Sequence, residues 1–139
     1  LANKWARSAS HLYLKRFGIG IGIEAWRILV LLAIEGPITA NRVCQVIGMD
    51  KASVSRNFKR LAELELLQIE DDPDDARQRL AQLTRAGFAL HDDMLPLVLE
   101  REQRLLSCLD ASERQVLCGL LRRLHANLGA LDDPKDFEA

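Results

Sequence analysis

Two helix-start signals follow each other closely between residues 38 and 61, and this pair constrains the fold more than any other part of the chain. Thr39 is placed as an N-cap, with Ile38 before it and Val43 after it as a hydrophobic staple. The helix it starts is expected to run to about Ile47 and to stop at Gly48. Asp50 is the next N-cap, and Met49 with Val54 repeats the staple. Only a short turn containing glycine separates the two capped helices, which is the signature of a helix-turn-helix. Behind it, Leu67 to Glu70 and Leu80 to Leu83 read as two short strands around the turn residues Asp72, Pro73, Asp74 and Asp75. Helix, turn, helix and hairpin in that order describe a winged helix-turn-helix.

The second helix of the pair is expected to continue to about Leu66. With Val54 taken as inward and a turn of about 100° per residue, Phe58 and Leu61 fall on the same side. Ala52, Ser55, Arg56 and Lys59 fall on the opposite side, with Arg60 at its edge. Residues 51 to 60 contain four basic residues and no acid. Small and hydroxyl side chains with one Arg suit close approach to base edges, where Arg pairs with guanine. Ser can bond bases or phosphates, and Lys51 and Lys59 suit phosphates. A solvated basic face on an ordinary helix is the competing reading. The paired caps and the hairpin tip the balance toward DNA.

Arg77, near the hairpin tip, has two readings. It could enter the narrow, electronegative minor groove, or form an exposed turn ion pair worth little. Asp75 is close enough in sequence to buttress it. Asp71, Asp72, Asp74 and Asp75 crowd the same hairpin, so some of these carboxylates must be paired or point away from phosphates.

The flanks read as helices. Residues 3 to 17 carry Trp5, Ala9, Leu12 and Arg16 at helical spacing, and Gly18, Gly20 and Gly22 break the pattern. Glu24 to Glu35 is a strongly apolar helix ended by Gly36 and Pro37. Thr84 caps a long helix with Phe88, Leu95, Val98, Leu105 and Leu109 along one side and an expected kink at Pro96. Asp110 to Glu113 is a capping box for a last helix with Val116, Leu117, Leu120, Leu121, Leu124 and Leu128, reaching about Leu131 before an acidic, frayed tail. The fold class is therefore mainly α with a small β-hairpin wing: a winged helix-turn-helix with N- and C-terminal dimerisation helices. The 139 residues suit one domain. Residues 24–83 form its DNA-binding lobe, and 1–17 and 84–131 its dimerisation helices. These flanking helices have more apolar surface than one small lobe can cover, which points to a homodimer.

Composition narrows the function classes. The net charge of −1 does not advertise nucleic-acid binding, so the placement of charge matters more than its sum. The longest apolar run, Ile28 to Ile34, is far shorter than the roughly 20 residues of a membrane span. The first residues show no signal-peptide pattern. Cys44, Cys108 and Cys118 form no CxxC pair, so a disulfide framework is not expected and a cytoplasmic location is the simplest expectation. His11, His91 and His125 share no metal-ligand spacing with the cysteines, and no Gly-rich phosphate loop is present. An enzyme, a metal site and a cofactor are not expected.

Three segments, EAWRILVLL, ITANRVCQVIGMDKASVSRNFKRL and DPDDARQRLAQLTRAG, resemble the multiple antibiotic resistance regulator (MarR-type) family of bacterial transcription factors. The resemblance covers nearly the whole chain. Its most specific part is Asp-x-Arg followed by Leu-Thr-x-x-Gly, here Asp75, Arg77, Leu83, Thr84 and Gly87. It implies a dimer whose terminal helices intertwine, with Ser53, Ser55, Arg56 and Lys59 touching double-stranded DNA and Arg77 in the minor groove. A two-fold dimer matches a palindromic operator. The chain departs from the family in carrying Glu65-Leu66 where a Gly usually precedes the first wing strand, and in a more acidic wing. The resemblance further implies a repressor relieved by a small aromatic or phenolic effector in a cleft between dimer helices and lobe. His11, Tyr13, Arg16 and Trp26 are candidates for that pocket, though Trp26 also reads as core and His11 and Arg16 as surface or dimer contacts. Some members respond to oxidants through a Cys. Cys44 reads here as a buried structural thiol, and Cys108 and Cys118 flank a helix junction. The alternatives are a winged-helix protein-interaction module and a thiol-based redox-sensing regulator.

Overall fold

A computed structural model describes residues 18, 20–73, 75 and 78–132. The element order is α1 (Ile23–Glu35), β1 (Ile38–Thr39), α2 (Ala40–Ile47), α3 (Lys51–Glu63), β2 (Leu67–Asp71), β3 (Arg79–Leu83), α4 (Arg85–Leu105) and α5 (Ala111–Ala126), with short 3-10 turns at Leu106–Cys108 and Leu128–Asp132. The chain divides into two compact units, Leu1–Leu95 and Pro96–Ala139, and the boundary falls at Pro96 inside α4. The expected N-terminal helix lies outside the described residues.

In the first unit, α1 forms the centre because most of its long apolar run is covered by neighbouring elements. Ala25, Trp26, Ile28, Leu29, Leu31 and Leu32 are all buried. It packs against α2, α3 and β3. Gly36 ends it at φ 79 with its N–H bonded to the Leu32 carbonyl, so the Gly-Pro stop acts as expected. The helix-turn-helix follows its cap signals. The Thr39 hydroxyl accepts from the Arg42 N–H at 3.2 Å. Gly48, at φ 73, bonds back to the Cys44 carbonyl at 2.9 Å. The Asp50 carboxylate accepts from the Ser53 N–H at 2.8 Å.

The sheet has three antiparallel strands in the order β1-β3-β2. Leu67 faces Leu83 and Asp71 faces Arg79 across the hairpin. Ile38 and Thr39 add a third strand against Ala81 and Leu80. Two residues are too few for a period-2 pattern, so β1 exists only because the fold brings it to β3. Leu67, Ala81, Leu83 and Ile38 bury the sheet's inner side.

Helix α3 stops at Glu63, short of the expected Leu66. Glu65 takes the left-handed conformation, φ 57. Its N–H bonds to the Ala62 carbonyl and that of Leu66 to the Leu61 carbonyl, both at 2.9 Å. This is the Schellman closure usually built on glycine. Contacts from Thr84, the residue before α4, hold it. The Thr84 hydroxyl donates to the Glu65 carbonyl at 2.6 Å, and the Thr84 N–H to the Leu66 carbonyl at 3.2 Å. The same hydroxyl accepts from the Gly87 N–H at 3.0 Å, capping α4 as expected. A Cβ on Gly87 would lie 2.1 Å from the Leu66 carbonyl oxygen. Thr84 and Gly87 thus clamp the exit of α3 to the start of α4.

In the second unit, the capping box at Asp110 and Glu113 is present in both directions at 2.9 Å. Helix α5 ends at Ala126, and the chain continues as the 3-10 turn rather than as helix to Leu131. None of its residues is buried. Among the described residues no helix is long and apolar enough to cross a membrane.

Candidate nucleic-acid interface

Helix α3 presents the faces that its periodicity dictates. Val54, Phe58 and Leu61 are buried. Lys51, Ala52, Ser55, Arg56, Lys59 and Arg60 are exposed. Ser53 is half-buried instead, and its hydroxyl is engaged. It donates to Asp50 Oδ2 at 2.8 Å and accepts from Arg56 Nη2 at 2.7 Å. The Asp50 carboxyl is held below its ordinary pKa, chiefly by the Ser53 N–H, then by the Ser53 hydroxyl, with a smaller pull from the Arg56 charge.

Asn57 carries no sequence signal, yet it ties this turn to α1. Its amide donates to the Ser53 carbonyl at 2.9 Å and to Glu24 Oε2 at 3.1 Å. Two more polar contacts fix α2 beside α1. Arg42 makes a two-pronged bond to Glu35, both arms at 2.8 Å, and that bond holds the Glu35 carboxyl below its ordinary pKa. Arg27 Nη2 donates to the Ile47 carbonyl at 2.8 Å. The Asn57–Glu24, Arg42–Glu35 and Arg27–Ile47 bonds carry no sequence signal, because each joins residues on different helices.

The wing resolves part of its acid crowding internally. Asp71 pairs with Arg79 across the hairpin at 3.5 Å. Asp75 accepts from the Gln78 side chain, and its carbonyl from the Gln78 N–H, both at 2.9 Å. The Asp72 N–H bonds to the Gln78 carbonyl at 3.0 Å. The wing turn is therefore stitched through Gln78. Arg77, the expected minor-groove residue, and Asp74 lie outside the described residues. Between α3 and the wing runs an open cleft of about 490 Å³ walled by Ser55, Phe58, Lys59, Ile69 and Arg79.

Of the four expected pocket residues, His11, Tyr13 and Arg16 lie outside the described residues. Trp26 is 4% exposed and stacks on the His91 ring, centroids 5.5 Å apart, so it belongs to the core. A shallower cleft of about 290 Å³ reaches it beside Arg27, Val30, Ile34 and Val46. Cys44 is half-buried, not buried as its apolar neighbours suggested: Val43 beside it is buried, but Val46 is 41% exposed. Cys108 and Cys118 are exposed.

A helix-turn-helix with an outward basic helix, followed by an antiparallel wing, defines the winged-helix class. Within it, a MarR family profile matches residues 19–78. The fold also matches a MarR/EmrR family transcriptional regulator from Acinetobacter sp. ADP1, with a TM-score of 0.85, 30% identity, and coverage of 93% of this chain and 89% of that one. Against BpsR of Bordetella bronchiseptica, whose DNA binding is regulated by 6-hydroxynicotinic acid, the TM-score is 0.70 with 28% identity over 76% of this chain and 80% of that one. The transcriptional repressor NicR of Pseudomonas putida is 31% identical over 96 residues, which is 69% of this chain and 61% of NicR's length. The chain belongs to the MarR family.

Proposed function

We propose that the chain is a homodimeric, sequence-specific DNA-binding repressor whose operator binding is relieved by a small aromatic ligand. The observation that carries the DNA-binding reading is the outward face of α3, where Lys51, Ser55, Arg56 and Lys59 are exposed while Val54, Phe58 and Leu61 anchor the helix. In this reading Arg56 meets a guanine edge in the major groove, Lys51 and Lys59 meet phosphates, and Arg77 reaches the minor groove. The Asp71–Arg79 pair supports a wing that can approach phosphates despite its acids. The regulation of BpsR by 6-hydroxynicotinic acid supports an aromatic acid as the effector class.

The test is binding to a palindromic duplex selected from a random library. Affinity should fall steeply with rising salt. Arg56→Ala should lose roughly tenfold or more in discrimination between selected and unrelated duplex, while Lys59→Ala should weaken both and lower the salt slope by about one. Parent-like binding by both variants would remove α3 as the reading helix. A winged-helix module for a protein partner would then be favoured.

A further inference from the structure

We propose that Ser53 and Asp50 are positioning residues that aim Arg56 before DNA arrives, and that Ser53 makes no essential DNA contact of its own. The proposal rests on the DNA-binding reading above and reassigns one of its expected contacts.

Positions 50, 53 and 56 lie one above another along the first turns of α3, since residues three apart are neighbours on a helix surface. The Ser53 hydroxyl has one proton, and it goes to Asp50 Oδ2 at 2.8 Å. Its oxygen then receives Arg56 Nη2 at 2.7 Å. With that proton committed, the hydroxyl has nothing to donate to a phosphate oxygen, and a phosphate has no proton to give in return. A backbone contact by Ser53 is therefore incompatible with the arrangement.

The relay suits Arg56. A guanidinium carries five N–H donors, and one bond to Ser53 leaves enough for a two-pronged guanine contact. The negative Asp50 polarises the hydroxyl between them, which strengthens its acceptance from Arg56. A long side chain held in one direction loses less freedom on binding than a free one. The turn beneath is also fixed. Asp50 accepts the Ser53 N–H at 2.8 Å, and Asn57 holds the Ser53 carbonyl at 2.9 Å while reaching Glu24 on α1. The relay is thus anchored to the helix cap on one side and to the core unit on the other.

Ser53→Ala separates the relay from the cap, because the Ser53 N–H that completes the cap is backbone and stays. The probes are a duplex selected by the parent protein from a randomised library and an unrelated duplex of equal length, with Kd measured for each by fluorescence anisotropy. Ser53→Ala should reduce the ratio of the two affinities on the order of tenfold while leaving the affinity for the unrelated duplex unchanged and the protein folded. Ser53→Thr, which keeps a hydroxyl, should restore the ratio. In an Arg56→Ala background, Ser53→Ala should cost nothing further. A parent-like ratio for Ser53→Ala beside a reduced one for Arg56→Ala overturns the relay and leaves Arg56 as a base reader. An equal loss in both backgrounds also overturns it, since Ser53 would then touch DNA directly. A parent-like ratio for Arg56→Ala overturns the base-reading role and the relay with it.

Discussion

Glu65 and Gly87 are both bonded to the Thr84 hydroxyl at the junction of α3, the wing and α4, and each occupies a position that ordinary preferences would give to the other. Glu65 sits at φ 57, where a side chain costs about 1–2 kcal/mol that glycine does not incur. Gly87 sits in a helix, where alanine would normally be better by about 1 kcal/mol. The Leu66 carbonyl decides the second case, because a Cβ on Gly87 would come within 2.1 Å of its oxygen. Substitutions should therefore act against the usual scale. Gly87→Ala should destabilise by about 2–3 kcal/mol, as overpacking against rigid backbone does. Glu65→Gly should stabilise by about 1 kcal/mol or less, since relief of strain is partly offset by the freer unfolded chain. Urea midpoints measure both, and a Gly87→Ala midpoint equal to the parent's would refute the steric account. The Thr and Gly of the Leu-Thr-x-x-Gly motif were legible as a pattern. Their purpose became legible only with the Glu65 and Leu66 carbonyls in place beside them.

At the scale of elements, the sequence marks the caps of helices more clearly than the end of α3. Thr39, Gly48, Asp50, Gly36 and the Asp110–Glu113 box all act where the sequence put them, because each bonds within a few residues of itself. The end of α3 is hidden from the sequence because Glu65 and Leu66 are ordinary helix formers, and contacts from Thr84 help hold the turn. β1 is likewise hidden, because its partner is β3, far along the chain. The cap of α3 has a pH signature. The folded-state pKa of Asp50 is lowered by its bonds from Ser53, so its contribution is complete above the ordinary carboxylate range, near 3.9, and is lost as pH falls through the lower folded value. Glu35, lowered by Arg42, acts in the same direction. Between about pH 5 and pH 2 the parent should lose more melting temperature than Asp50→Asn, which keeps a capping oxygen without the charge. Parallel melting curves across that range would exclude Asp50 as a contributor.

At the scale of the whole molecule, α5 leaves Val116, Leu120, Leu121 and Leu124 between 49% and 66% exposed, and Leu128 in the turn after it is 52% exposed. A row of large apolar side chains on one helix marks an interaction face, and the proposed homodimer would cover it. Leu120→Asp with Leu124→Asp should convert the protein to a monomer in analytical ultracentrifugation. It should also weaken binding to a palindromic duplex far more than to a single half-site, because the second half-site would no longer be held near the first. A dimer that survives both charges would place the interface elsewhere.

The sequence by itself determined the helix-turn-helix, the hairpin and the outward basic face, because caps, turn residues and helical periodicity are short-range properties of adjacent residues. It also placed Trp26 as a core residue in one of its two readings, and the structure supports that one. Only the tertiary structure decided the third strand, the early end of α3, the steric need for Gly87 and the anchoring of Asn57 to Glu24. Those features join residues far apart in the chain, where no local pattern records the partner. The Asp50–Ser53–Arg56 relay lies between the two cases. Its spacing was visible in the sequence, but a Ser at that spacing serves equally as a DNA contact or a hydrogen-bond bridge. The side-chain directions, with the hydroxyl proton given to Asp50 and its oxygen to Arg56, favour the bridge.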